Sequence, residues 1–244
     1  MVNIHFSFVV PTRNSSKTLK QALGSVAFQS YDNWDMIIVD DVSTDDTVSK
    51  IQLECQKLKI EEKVKIIQNS DRRWEIQNTL EALKYVESDS IVCRLDLDDY
   101  LCDLNALDIM SQAYQKIPDL DVTWSNQRWF SDGKLTNFNI SRELPYGADP
   151  YVHTWVSSHF KSFRKSTIEH VNEDNFKDEN GNYFKRIGDQ AFMLPAIKNA
   201  RKYVYIPHPF YAYRCSLEPE TFQTEDAKFQ KSEAEFLRKR GFVK

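Results

Sequence analysis

The chain has 244 residues and a mass of 28.6 kDa, with 41% hydrophobic and 28% charged residues, enough apolar material for one large α/β unit or two small ones and too much for a disordered segment. The net charge is −4 and the isoelectric point near 5.8, which disfavours a nucleic-acid binder, since such proteins gather cations against phosphates. Only 6 glycines occur, which argues against a Gly-rich phosphate loop, and no apolar run nears the roughly 18 residues that span a bilayer.

His5 to Val10 reads as a strand ended by Pro11 rather than a signal peptide, because no basic segment precedes it and no small-residue cleavage site follows. Ser15 or Ser16 is expected to cap a helix that carries Leu19, Ala22, Leu23, Val26 and Ala27 at helical spacing. Met36 to Val39 reads as a second strand, and Ser43 or Thr44 as the cap of a helix running toward Leu58. Val64 to Ile67 is a third strand, Trp74 to Val86 a third helix, and Ile91 to Leu95 a fourth strand. These strands are continuous apolar runs, as in a parallel sheet covered on both faces. Beyond them, Leu104 to Ile117 reads as a helix, and Asp121 to Ser125 and Gln127 to Phe138 as strands about a turn at Asp132-Gly133. Residues 141–182 are polar, with a turn at Asn180-Gly181. Gln190 to Asn199 reads as a helix despite Pro195, Tyr203 to Ile206 as a strand, and Thr224 to Arg240 as a charged C-terminal helix. Cys55, Cys93, Cys102 and Cys215 form no CxxC pair and no zinc-finger spacing with histidine, so they read as free thiols of a reducing compartment.

Two acidic clusters stand at strand ends, Asp40-Asp41 and Asp96-Leu97-Asp98-Asp99. Ligands of such sheets bind outside the carboxyl ends of the strands. Three carboxylates within four residues repel one another, and a hard cation such as Mg²⁺ or Mn²⁺ offsets that charge; the plain alternative is a solvated acidic turn. Asp45 and Asp46 suit a helix N-terminus. Asp40 and Asp41 come too early for that role, and a carboxylate there can accept from a base N–H or a ribose hydroxyl.

The segments FVVPTRN (8–14), IVDDVSTDDT (38–47) and LDLDD (95–99) together resemble the family-two glycosyltransferases of the GT-A fold. The segments SHFKSFRK (158–165), GDQAFML (188–194) and YVYIPHPFYAYR (203–214) extend the resemblance over about residues 5–215. It implies an α/β, GT-A-like three-layer unit with a mostly parallel mixed sheet and helices on both faces. It implies a nucleotide-sugar donor, by family prior UDP-linked, a glycan or other hydroxyl acceptor, inversion at the anomeric carbon, and Mn²⁺ or Mg²⁺ as cofactor. Carried onto this chain, Pro11 and Arg13 line the nucleotide pocket, and Asp41, helped by Asp40, binds the base. Arg72 or Arg73 lies near the nucleotide, Asp96 near the ribose or sugar, and Asp98 or Asp99 on the cation. Asp189 becomes the general base, against a plain reading as the N-cap of the following helix. The family's usual Glu before that Asp is Gly188 here. His159, Arg164 and Trp155 fall on the acceptor or diphosphate side, with a structural role for His159 as the alternative.

The expected division is a glycosyltransferase unit over 1–222, with a nucleotide-binding half (1–100) and an acceptor half (101–222), followed by a C-terminal helix over 223–244. With no apolar spanning run, the expected location is cytoplasmic, peripheral membrane attachment being compatible. Three other classes fit less well. A phosphoacceptor receiver places its acidic pair after the first strand and is about half as long. A nucleotidyltransferase of related fold would carry a Gly-rich basic loop where Pro11-Thr12-Arg13-Asn14 stands. A non-catalytic nucleotide-sugar binder would have no use for both Asp98 and Asp189.

Overall fold

A computed structural model describes residues 4–215 and 224–244; the expected boundary at 222 and 223 lies outside them. The chain begins β1 (Phe6–Thr12), α1 (Leu19–Ala27), β2 (Trp34–Asp40), α2 (Thr47–Leu58), β3 (Val64–Gln68), α3 (Trp74–Leu83), β4 (Ile91–Arg94). It continues β5 (Tyr100–Leu101), α4 (Ala106–Lys116), β6 (Leu120–Ser131), β7 (Lys134–Leu135), β8 (Lys161–Arg164), α5 (Ser166–Glu169), α6 (Gly188–Asn199), β9 (Lys202–Arg214) and α7 (Glu225–Arg240). The strands form one sheet in the order β3-β2-β1-β4-β8-β6-β9-β5, with β7 hairpinned onto β6. Strands β3, β2, β1 and β4 run parallel, and β9 runs parallel to β6. Strand β8 runs against both of its neighbours, so β6 again has the direction of β4. The sheet is thus mixed and mostly parallel, as the sequence predicts.

The continuous apolar runs are continuous because successive residues enter two different cores. Phe6, Phe8, Val10, Met36 and Ile38 pack with Leu23 of α1, Ile51 of α2 and Met110 of α4. Val9, Ile37 and Val39 face the other way, onto Ile76 of α3, the apolar residues of α6 and Leu237 of α7. Burying these side chains contributes about 1.5–3 kcal/mol each, and the outcome is three layers. Trp124, fully buried between Tyr203 and Tyr205, is a core residue.

Several elements differ from the reading. Ser15 does not cap α1: the helix opens after Thr18, whose N–H, like that of Leu19, donates to the Ser15 carbonyl. Neither Ser43 nor Thr44 caps α2, which begins at Thr47, where Asp45 accepts from the Thr47 N–H at 3.0 Å. The two strands expected over 121–138 are one long bulged strand, β6, plus the β7 hairpin, turning where Asp132 and Gly133 take φ of 51° and 75°. Strand β9 likewise continues to Arg214. The polar stretch 141–182 contains β8, an interior strand.

Candidate active site

The loops after β1, β2 and β4 all leave the carboxyl edge of the sheet, and a crevice of about 1150 Å³ opens there. Pro11, Arg13, Asp41, Asp96, Asp98, Asp99, Trp155, His159 and Asp189 all line it. The first two loops are laced together by Asn14, whose N–H donates to Ser43 Oγ (2.9 Å) and whose Oδ1 accepts from the Thr44 N–H (2.8 Å). The acidic loop 95–99 is held at both ends, by β4 and by β5, which pairs with β9. Strand β9 also anchors it from above: the Arg214 N–H donates to Asp99 Oδ1 (2.6 Å) and Arg214 Nε to the Asp98 carbonyl (2.8 Å).

Asp41 does more than face the crevice. Its carboxylate accepts from the Arg73 N–H (2.7 Å), the Trp74 N–H (3.0 Å) and Asn69 Nδ2 (3.1 Å), fastening the start of α3. Burial raises its pKa, but these donors outweigh burial and hold it below the usual range. The acidic loop behaves in the opposite sense. Burial, with the Asp189 and Asp98 charges beside it, pushes Asp96 up to about 7. Asp99, buried and crowded by Asp98 and Asp96, is raised well above the usual range. Asp98 is raised by withdrawal from bulk water, although it remains open to solvent in the crevice. Carboxylates crowded this way are stabilised by a cation. No ready-made group of three or more metal-ligating side chains exists among the described residues. Asp98, with Asp96 beside it, nevertheless suits a Mg²⁺ or Mn²⁺ ion that takes one or two carboxylates and completes its shell with phosphate and water oxygens.

Asp189 stands in the first turn of α6, one residue inside the helix, and does not cap it. Its Oδ1 is ion-paired with Lys161, whose side chain is 1% exposed. His159 Nε2 lies 3.5 Å from Oδ2. Burial and the Lys161 cation lower His159 to about 3, so a neutral ring meets the carboxylate. That ring stacks on Tyr211 and Tyr213, and its Nδ1 has no partner among the described residues. Next to Asp189, a Cβ on Gly188 would overlap the Glu75 carboxylate. Glu75 reaches there from α3, held at 2.7 Å by buried Arg94, which also donates to Thr79. A carboxylate therefore does flank Asp189, but α3 supplies it.

Three expected site residues lie elsewhere. Asp40 spends its carboxylate on the N–H and hydroxyl of Ser43, because Val42, at φ 60°, turns the chain back over it. The Arg73 side chain pairs with Asp71 and lines a separate hollow; Arg72 is the one in the crevice, 3.8 Å from Asp41 and stacked on Trp74. Arg164 pairs with Asp121 and donates to the Leu120 carbonyl at the opposite edge of the sheet, opposite Ile91 at the start of β4. The crevice also takes in Trp129, Tyr213 and Arg214, and the reading missed Glu75, beside Lys161, together with α7. That helix adds Asp226, Gln230 and Lys231 to the wall and clamps the approach to Asp189, since Glu233 accepts from the Lys185 and Arg186 N–H groups.

The chain and its fold resemble known proteins. The chain is 31% identical over 93 residues to the UDP-Glc:alpha-D-GlcNAc-diphosphoundecaprenol beta-1,3-glucosyltransferase WfgD of Escherichia coli, a match that spans 38% of this chain and 34% of that protein. It superposes on S. aureus TarS in complex with UDP-GlcNAc with a TM-score of 0.68 at 20% identity, covering 99% of this chain and 68% of that one. The TarS complex with UDP gives 0.67 at 23% identity, covering 94% and 65%. The mannosyltransferase PcManGT of Pyrobaculum calidifontis, in complex with GDP-Man and Mn²⁺, gives 0.58 at 13% identity, covering 90% and 59%. The chain thus spans about a third of the length of the curated relative and about two thirds of TarS 1–349. These likenesses show the GT-A fold. Residues 7–172 match the model of Glycosyl transferase family 2, and the chain belongs to that family.

Proposed function

We propose that this chain transfers a sugar from a UDP-linked donor to a hydroxyl of a glycan acceptor, with inversion at the anomeric carbon. The observation that carries this reading is the single crevice that joins Asp41, Asp96 and Asp98 with Asp189. Asp41 and Arg72, beside Trp74, meet the nucleotide base; Pro11 and Arg13 flank it. Asp98 and Asp96 would hold a Mn²⁺ or Mg²⁺ ion, which would supply charge stabilisation to a departing diphosphate. Asp189, from the acceptor side, takes the proton of the attacking hydroxyl. One displacement on the face opposite the leaving group inverts the centre. Trp129 and Trp155 offer aromatic faces to a sugar ring. WfgD, named for a diphosphoundecaprenol-linked GlcNAc acceptor, makes a lipid-linked sugar a natural acceptor to try first. The reaction would then sit at the cytoplasmic face of a membrane, with the chain attached peripherally; no helix among the described residues is long and apolar enough to cross one.

The test is a turnover screen that follows UDP release from UDP-glucose, UDP-GlcNAc and UDP-galactose, with and without Mn²⁺, against acceptors including GlcNAc-diphospho-alkyl lipids. The expected result is cation-dependent UDP release that an acceptor accelerates. Release from none of the three, with GDP-mannose turned over instead, would contradict the UDP assignment.

A further inference from the structure

We propose that Lys161 is a positioning residue that aims the Asp189 carboxylate and keeps it ionised for proton abstraction, an inference that rests on the reading of Asp189 as base. The topology puts it there. Strand β8 runs against its neighbours, so its first residues, not its last, arrive at the carboxyl edge where the crevice opens. Lys161 sits opposite Trp124, on the face of the sheet covered by α6, and its ammonium meets Asp189 Oδ1. It is 1% exposed, with no other carboxylate within ion-pairing distance among the described residues. A buried ammonium in a strand interior is costly unless paired, so its side chain and that of Asp189 fix each other. Pinning Oδ1 leaves Oδ2 turned to the neutral His159 ring on the crevice wall.

The other charged and titratable groups around Asp189 are Arg94 of β4, Glu75 of α3, Asp96 of the acidic loop and Tyr213 of β9. Burial and the two acids favour the protonated form, and Arg94, with His159 wherever its ring is charged, opposes them. Lys161 decides the balance in favour of the carboxylate, which lies well below the usual range. The consequence is a base that is weaker per encounter but ionised at every physiological pH.

The experiment is carbon-13 NMR of the metal-free protein labelled at aspartate carboxyls, with the Asp189 signal assigned by its loss in Asp189→Asn. In the wild type that signal should stay flat between roughly pH 4.5 and 9, and in Lys161→Met it should titrate inside that window, at least about one pH unit above wild type. Lys161→Arg should restore the flat response. Lys161→Gln serves equally if the Met variant does not fold. The acid limb of UDP release from UDP-glucose should move up with the NMR midpoint. An Asp189 signal that stays flat in the Met and Gln variants would overturn the proposal. A shifted NMR midpoint with an unmoved acid limb, or full turnover by Asp189→Asn, would instead overturn the base reading on which it rests. A merely structural lysine would change stability without moving either titration.

Discussion

Replacing Asp189 with Asn is expected to lower sugar transfer by roughly 10²–10⁴-fold, the range for loss of a general base, while UDP affinity stays within about twofold, because the proposed role of Asp189 is toward the acceptor hydroxyl and not the nucleotide. In free energy that is about 3–5 kcal/mol of transition-state stabilisation. The same substitution strands the buried Lys161 ammonium, so the fold weakens too, by about 3 kcal/mol as for a broken buried pair. The two effects separate in the double variant Asp189→Asn/Lys161→Met, which removes both charges: stability should return while turnover does not. The pH dependence follows from the direction of the shift. Asp189 lies below its unfolded value, so the pair's contribution is complete above the ordinary carboxylate range and is lost as the pH falls through the depressed native value. Turnover in the double variant at the wild-type rate would remove Asp189 from the mechanism.

The second large effect concerns Arg94. Arg94→Met is expected to destabilise the protein by about 3 kcal/mol, which for a chain of this length lowers Tm by roughly 6–12 °C. The guanidinium is 4% exposed, paired with Glu75 and hydrogen-bonded to Thr79. Removing it leaves the Glu75 carboxylate facing Gly188 and Asp189 without its ion-pair partner, with only the more distant Lys161, itself paired with Asp189, as a cation. Since Glu75 is 29% exposed, water relieves part of that penalty, which places the value at the low end of the range for buried pairs. Glu75→Gln in the Arg94→Met background should recover most of the loss, because the orphaned charge goes with it. Chemical denaturation of the two variants measures both numbers; equal stability of Arg94→Met and wild type would show that the pair contributes nothing net.

The N-terminal half of the sheet was legible because its interior strands are buried on both faces and read as unbroken apolar runs, FVV, MIIV and IVC, while VKII, at the sheet edge, is half-buried and keeps its lysine exposed. The acidic loops at their ends were legible for the same reason: a buried strand fixes where its loop emerges. Strand β8 was not, since its sequence KSFR places a lysine and a serine in the interior, against every hydrophobic pattern. The buried Lys161 that hides the strand is explained only by Asp189, 28 residues later. The misplacement of Arg164 has a simple cause. In the linear sequence it joins Lys161 and Lys165 as one basic cluster, but three residues of extended chain carry it roughly 10 Å away, to the other edge of the sheet. Glu75 was invisible for the converse reason: its carboxylate occupies space that a glycine vacates 113 positions later, and only packing brings the two together. The long strands β6 and β9 were cut short in the reading because register shifts at Ser125 to Gln127 break their alternation.

Calorimetric titration of UDP into the wild type and Asp98→Ala, each with and without Mn²⁺, addresses the grip on the diphosphate directly. The wild type should bind UDP at least about tenfold more tightly with the ion present, equivalent to about 1.4 kcal/mol, and Asp98→Ala should lose that increment while keeping its ion-free affinity. Equal gains from Mn²⁺ in both proteins would mean that the acidic loop does not hold the cation.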